Sequence, residues 1–182
     1  MRAGLLIASP QLKMTPFERA VILLCRDDET GTMGLVINRP TSYTLDVVLS
    51  QLKIDHTKEM DDPVLWGGPV MQGVGFLVYQ GDDNDALYAT IEVSDKVRIS
   101  SSQLLLERAA MGILEGPYYL CLGYSGWEPG QLDGEIRRGT WLYADLDPSL
   151  VFDVPLDERW DRAIALLGLD PNQLFMFNPI EE

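Results

Sequence analysis

Residues 19–25, with the sequence RAVILLC, constrain the fold of this chain more than any other segment. Every residue after the arginine is apolar, so neither face of the segment is suited to contact with water. A strand with one face in solvent alternates apolar and polar residues, whereas a continuous apolar run is typical of a strand covered on both faces. The chain is therefore expected to build a sheet with packing layers on both sides.

Strands and helices interleave along the rest of the chain. Further apolar runs predict strands, at residues 4–8, 32–38, 75–79, 88–93, 118–124 and 141–144. Helices are predicted where apolar residues recur at helical spacing, beginning near Thr44, Ser102, Pro129 and Pro155. Because no strict βαβ rhythm is present, the sequence predicts an α/β fold of the α+β type, with helices flanking a mixed β-sheet. The length favours a single domain over residues 1–182.

The acidic balance of the chain limits its partners. Asp and Glu number 28 against 14 Lys and Arg, which gives a formal net charge of −14 at pH 7. Binding to nucleic acid phosphates or to anionic lipid needs clustered cations, so direct binding to either is not expected. The expected partner is an unknown protein or small-molecule ligand of basic or neutral character.

The cysteines and the hydropathy pattern indicate where the chain resides. Cys25 and Cys121 both lie in apolar runs, which predicts buried, reduced thiols typical of a cytoplasmic protein. No segment approaches the roughly 18 apolar residues that span a bilayer. Residues 3–8 are too short a run for a signal-peptide core. We therefore expect a cytoplasmic protein without a membrane segment.

The sequence contains no recognisable catalytic or metal-binding motif. Ser125 lies in CLGYSGWEPGQL, but Trp127 stands where a nucleophile elbow needs a glycine. His56 is the single histidine of the chain, and we expect it to be exposed. The acidic run at residues 82–85 lacks the EF-hand pattern and is interpreted as a solvated hairpin tip. No metal site and no cofactor are predicted.

Glycines mark two sharp changes of chain direction. Gly67 and Gly68 could present backbone N–H groups to an anion, or they could form a tight turn with positive φ. Pro69 follows them without an N–H group, which favours the turn. Gly123 and Gly126 are predicted to permit a strand-to-helix corner within CLGYSGWEPGQL.

One carboxylate is predicted to face the protein interior. Glu135 shares the apolar side of its predicted helix with Leu132 and Ile136, because these residues are three and four positions apart. A carboxylate there needs a partner, since burying an unpaired charge is costly. We predict that Glu135 pairs with Arg19 or Arg39, with Arg39 preferred. The pair could be a structural salt bridge, or it could form a charged pocket for a small polar ligand or a peptide.

Five motifs follow one another along the chain: LLIASPQL, FERAVILLC, GTMGLVINRP, LWGGPV and LGYSGWEPGQLDGEI. In this order and spacing they closely resemble the YqgE/AlgH family, also named UPF0301 or DUF179. The resemblance extends over residues 5–174. It implies a bacterial, cytoplasmic, single-domain α/β protein with a mixed sheet. Some members of that family are labelled transcriptional regulators, and no reaction is established for it.

The resemblance also implies a set of candidate ligand-binding residues. Residues that recur in the family fall here on Arg19, Asn38, Arg39, Gly67, Gly68, Trp127, Gln131 and Glu135. Trp127 could be a plug of the core or a wall of the pocket. No catalytic residue is assigned.

Three functions are compatible with these features. The favoured one is a noncatalytic binding or regulatory protein that acts through protein or small-ligand contacts. The alternative is an enzyme or small-ligand sensor with a pocket around Arg39, Trp127 and Glu135. A DNA-binding transcription factor ranks last, because the sequence lacks a helix-turn-helix with clustered basic residues.

Overall fold

The computed structural model describes residues 3–56, 58–81 and 87–174, so the acidic run at residues 82–85 lies outside the described residues. The strands are β1 Gly4–Ala8, β2 Val21–Asp28, β3 Gly31–Val36, β4 Pro40–Thr44, β5 Pro63–Trp66, β6 Val70–Tyr79, β7 Thr90–Glu92, β8 Arg98–Ser100, β9 Tyr118–Trp127 and β10 Trp141–Asp145.

The helices are short. They are α1 Leu45–Gln51, α2 Gln103–Ala110, α3 Gln131–Arg137, α4 Pro148–Phe152, α5 Arg159–Leu166 and α6 Pro171–Leu174. Additional 3-10 turns span Pro10–Leu12 and Leu156–Glu158. Within the described ranges, no helix has the length and apolar character needed to cross a bilayer.

The strands form one sheet in the order β10-β1-β2-β3-β9-β6-β8-β7, and β4 pairs with β5, which pairs with β9. The β5–β9 pairing is parallel, whereas neighbours such as β2–β3 and β6–β9 are antiparallel. The β2–β3 pair is a hairpin of consecutive antiparallel strands. The prediction of a mixed sheet flanked by helices is confirmed.

Residues 21–25 of β2 are buried on both faces, as their apolar run predicts, whereas residues 26–28 are exposed. Val21 and Leu23 point into a core that α4 and α5 cover. Ile22 and Leu24 point into a second core on the opposite face, where Leu132 of α3 packs. A third core lies beneath α1 and α2. The alternation of β2 side chains between two cores explains why the whole segment is apolar.

Three helical regions differ from the prediction. Helix α3 begins at Gln131 rather than at Pro129, because Gly130 before it has a φ of 78° in the left-handed region. The final region is not one long helix, since the 3-10 turn Leu156–Glu158 precedes α5. Helix α4, Pro148–Phe152, was not predicted, because so short a helix shows no clear period in the sequence.

The glycine pair after β5 packs against the backbone of β9. A Cβ on Gly67 would lie 2.3 Å from the carbonyl oxygen of Gly123, and Gly68 has a φ of +152°. Gly123 has a φ of +72°, and its Cβ would lie 2.5 Å from the Gly68 carbonyl oxygen. Two backbones therefore cross here at a distance that excludes side chains on both. Gly123 and Gly126 lie within β9, so they do not form the predicted corner, which falls instead at residues 128–130.

Replacing Gly67 by alanine is expected to lower the free energy of unfolding by roughly 2–4 kcal/mol, because the new Cβ forces the crossing apart. Gly73→Ala is the matched control, since a Cβ there meets nothing within 4 Å. Urea unfolding followed by tryptophan fluorescence measures both changes. Equal midpoints for the two variants would contradict the crossing.

Candidate functional site

The structure distributes the eight candidate residues over two cavities and the backbone crossing formed by Gly67 and Gly68. The first cavity, named here the Glu135 cavity, has a volume of about 340 Å³ and is lined in part by Trp127, Gln131 and Glu135. The second, named here the Arg39 cavity, has a volume of about 360 Å³ and is lined in part by Arg19, Asn38 and Arg39. The single pocket predicted from the sequence is therefore two separate cavities.

Glu135 accepts hydrogen bonds from two tryptophans. Its Oε2 accepts from Nε1–H of Trp127 and from Nε1–H of Trp141, both at 2.9 Å, and its Oε1 accepts from Nε2 of Gln131 at 3.0 Å. Both indoles are buried, so their N–H groups need an acceptor inside the protein. One carboxylate thereby joins α3 to both β9 and β10.

The predicted pairing of Glu135 with an arginine is wrong. Arg39 lies in the other cavity, where its Nη2 donates to the Glu18 carbonyl oxygen at 2.5 Å. Arg19 also lies there, with its guanidinium carbon 4.9 Å from the centroid of the Trp160 ring. The sequence correctly placed Glu135 on the inner side of α3, but two neutral indole donors serve as its partners.

Aromatic rings form the wall around this carboxylate. Trp127 and Trp141 meet edge to face with their centroids 6.0 Å apart, although β1, β2 and β3 lie between their strands in the sheet order. Phe17 packs edge to face on Trp141 at 5.7 Å and also lines the cavity. Trp127 therefore fills both roles that the sequence allowed: it is 7% exposed in the core and contributes to the cavity lining.

Gln131 holds the start of α3 in position. Its Oε1 accepts from the Glu128 backbone N–H at 3.0 Å, while its Nε2 donates to Glu135. The side chain thus satisfies a backbone donor in the corner after β9 and orients the carboxylate one turn further along the helix. Gln131 is a positioning residue of the Glu135 cavity.

The charge of Glu135 is not neutralised by its partners. All three donors are uncharged, and a carboxylate has about four lone-pair positions, so one acceptor position remains. Arg138 also lines the cavity, but its Nη1 lies 3.2 Å from the Cβ position of Gly134, over the helix surface. The cavity combines a carboxylate with aromatic walls, which is the chemistry that binds an organic cation.

Asn38 ties together two strand ends beside the Arg39 cavity. Its Oδ1 accepts from the Val21 backbone N–H at 2.8 Å, and its Nδ2 donates to the Arg19 carbonyl oxygen at 2.8 Å. This second bond holds Arg19 in a left-handed conformation with a φ of 55°. A non-glycine residue with positive φ is held there only by its surroundings, so Asn38 fixes the shape of this cavity wall.

A third cavity, which sequence reasoning missed, lies between α1 and α2. It has a volume of about 420 Å³, with leucines such as Leu106 and Leu120 and a rim of serine and glutamine side chains. Its lining comes from several segments that are distant in sequence, so no local motif marks it. None of the described residues that line it is charged.

Ser125 and the cysteines are structural in this protein. Ser125 is buried, and its Oγ donates to the Gly67 carbonyl oxygen at 3.2 Å, so it supports the backbone crossing. Cys25 and Cys121 are free and buried, as predicted. Burial raises the pKa of both thiols, that of Cys121 to about 12, so both stay protonated at neutral pH. Within the described ranges, no three His, Cys, Asp or Glu side chains could together hold a metal ion.

The prediction that His56 is exposed is wrong, since only 14% of its side chain is accessible. Its Nδ1 lies 3.1 Å from the Ile54 carbonyl oxygen, and its Nε2 contacts Oδ1 of Asp46 in the first turn of α1. Both ring nitrogens therefore face acceptors, which favours the doubly protonated ring. The hydrogen bond to Ile54 and then that to Asp46 raise the pKa of His56 above its usual value.

Comparison with known proteins identifies the family. The family model described as AlgH-like, DUF179, matches residues 5–172. The chain belongs to the AlgH-like family. A UPF0301 protein of Aliivibrio fischeri is 38% identical over 175 residues, covering 93% of this chain and 92% of the relative. A UPF0301 protein of Xanthomonas campestris pv. campestris is 42% identical over 170 residues, covering 91% of this chain and 88% of the relative.

Solved structures of AlgH-like and related proteins share the fold. The solution structure of the AlgH protein from Pseudomonas aeruginosa matches with a TM-score of 0.77 and 34% identity, covering 98% of this chain and 95% of that one. The crystal structure of a Corynebacterium diphtheriae protein matches with a TM-score of 0.72 at 24% identity, which bears on the fold alone. The family recognised from the five motifs is confirmed.

Glu135→Ala is expected to lower the free energy of unfolding by about 2–4 kcal/mol, because two buried indole N–H groups lose their acceptor. Glu135→Gln keeps one carbonyl oxygen for them and is expected to cost about 1 kcal/mol. The control is Asp133→Ala on the exposed side of α3, with an expected change within about 0.5 kcal/mol. Urea unfolding midpoints measure these changes in stability. A Glu135→Ala variant as stable as the control would refute the hydrogen-bond network.

The raised pKa of His56 makes its contribution to stability pH-dependent. The contribution is fully present below the unfolded-state pKa and is lost as the pH rises through the higher folded-state pKa. Asp46→Asn is expected to lower the pKa seen in a proton NMR titration and to destabilise more at about pH 5 than at about pH 8. Asp61→Asn, at an exposed carboxylate, is the control. Equal titration in both variants would exclude the Asp46 contact.

Proposed function

We propose that this chain is a noncatalytic binding protein that captures a cationic group, a guanidinium or an ammonium, in the Glu135 cavity. The observation that carries the proposal is the Glu135 carboxylate, whose donors are two indoles and an amide. These donors orient the carboxylate without cancelling its charge. A cation that enters the cavity therefore gains a charge-assisted hydrogen bond at the remaining acceptor position.

The surroundings of the carboxylate favour the same ligand class. The faces of aromatic rings carry partial negative charge, and Phe17, Trp127 and Trp141 supply such rings. The formal net charge of −14 attracts cations to the protein as a whole. An anionic ligand would be repelled both by the Glu135 carboxylate with its aromatic walls and by the net negative charge of the chain. A neutral ligand would provide no counterion for the carboxylate.

The occupant that we propose is an arginine or lysine side chain of a partner protein. Such a contact fits a regulatory role exercised through protein binding, and it agrees with the low expectation of direct DNA binding by so acidic a chain. The buried, protonated thiols of Cys25 and Cys121 support a reducing compartment, so we place this activity in the cytoplasm. Ser125 has its hydroxyl committed to a backbone carbonyl, which supports a role without catalysis.

Calorimetric titration tests the ligand class. N-acetyl-L-arginine amide is expected to bind with a Kd of roughly 1 mM, whereas N-acetyl-L-citrulline amide, its uncharged counterpart, is expected to bind at least about tenfold more weakly. A short peptide with one central arginine distinguishes the source of the cation. Tighter binding of the peptide supports a protein partner, and equal binding supports a small cationic molecule.

Variants locate the binding in the cavity. Glu135→Gln is expected to weaken binding of the arginine amide by at least about tenfold. The control Asp133→Asn makes the same charge change on the exposed side of α3, and it is expected to leave binding of the arginine amide unchanged. Arg138→Gln is expected to strengthen binding, because a competing cation leaves the cavity lining. Equal binding by the Glu135 and Asp133 variants would overturn the proposal.

A further inference from the structure

Arg39, which lines the Arg39 cavity, has a buried donor without an acceptor among the described residues. Nη2 of Arg39 donates to the Glu18 carbonyl oxygen at 2.5 Å, but its Nε is buried and has no acceptor among the described residues. Arg39 also forms no ion pair within the described ranges. A buried N–H group of a charged side chain without an acceptor is costly, so its presence requires an explanation. A negatively charged group that enters the cavity would give the Arg39 guanidinium the counterion that no described residue supplies.

A second guanidinium is held in the lining of the same cavity. Asn38 bonds the Arg19 carbonyl oxygen at 2.8 Å and so maintains the left-handed backbone at Arg19. The Arg19 side chain lies over the ring of Trp160, whose own Nε1 donates to the Ala8 carbonyl oxygen at 2.9 Å. The guanidinium of Arg39 is thus held by the Glu18 carbonyl oxygen, and that of Arg19 is held over the Trp160 ring. Strained backbone of this kind is concentrated at binding and catalytic sites.

Carboxylates complete the lining. Asp157 and Asp161 lie four residues apart at the start of the final helical region, so they share one side of it. Glu18 also lines the cavity, with its Oε2 accepting from the Met14 backbone N–H at 2.8 Å. A phosphate or another multiply charged anion would be repelled by these acids. A ligand that carries one positive and one negative group matches the whole lining.

We propose that the Arg39 cavity binds a small zwitterion of the α-amino acid class. Its carboxylate contacts the guanidinium groups of Arg39 and Arg19, and its ammonium group contacts Asp157 and Asp161. The cavity volume of about 360 Å³ is sufficient for such a molecule. This site is distinct from the Glu135 cavity, so the two proposals succeed or fail independently.

Three probes built on one scaffold test the ligand class. L-alanine carries both charges, L-alaninamide carries the positive one alone, and N-acetyl-L-alanine carries the negative one alone. The Nε–Hε cross-peak of Arg39 and the indole cross-peak of Trp160 report binding at millimolar concentrations. L-alanine is expected to shift both peaks with a Kd at least about tenfold lower than that of either derivative. Equal effects of L-alanine and N-acetyl-L-alanine, or no shift with any probe, would overturn the proposal.

Two variants assign the roles of the charges. Arg39→Gln is expected to abolish the response to L-alanine at the Trp160 peak. Asp161→Asn changes an exposed residue and so leaves folding intact. It is expected to weaken the binding of L-alanine at least about threefold without weakening the binding of N-acetyl-L-alanine. Asp133→Asn, distant from this cavity's lining, is the charge control. Loss of L-alanine binding in the control to the same extent as in Asp161→Asn would also overturn the proposal.

Discussion

The hydrogen bonds that Glu135 accepts from two buried tryptophans are the constraint on which the packing of α3 against β9 and β10 depends. Trp127 and Trp141 stand on strands that three others separate, yet both donate to the same carboxylate oxygen. Helix α3 connects these two strands in sequence, so the bonds also decide where the helix lies over the sheet. Removing the carboxylate would leave two large side chains with unsatisfied donors in the core, which is more costly than losing one surface contact.

The connection between β1 and β2, residues 9–20, divides the two cavities. Phe17 faces the Glu135 cavity, while Glu18 and Arg19 line the Arg39 cavity. The cavities differ in chemistry because one is lined by a carboxylate and aromatic rings and the other by two guanidinium groups and three carboxylates. A single connection thus presents neighbouring side chains to two cavities, and the ligands proposed for them differ in charge for this reason.

Local patterns in the sequence were sufficient for the main core and for most strands of the sheet, whereas the short strands β4, β5 and β8 were not predicted. The apolar run before Cys25 correctly predicted a strand buried on both faces, and the spacing of Leu132, Glu135 and Ile136 correctly turned the carboxylate inward. The indole partners of Glu135 were missed because only residues of opposite charge were considered as its partners. Buried indole N–H groups also need an acceptor, and this need was not taken into account. The division into two cavities depends on how distant segments cross, and no local spacing records that.

An indole proton–nitrogen NMR spectrum tests most directly whether the Glu135 carboxylate holds both indoles. The protein has four tryptophans, so the spectrum contains internal references. On substitution of Glu135 by glutamine, the Trp127 and Trp141 cross-peaks should move together, while that of Trp160, bonded to the Ala8 carbonyl oxygen, stays in place. Movement of only one of the two peaks, or of neither, would contradict the account.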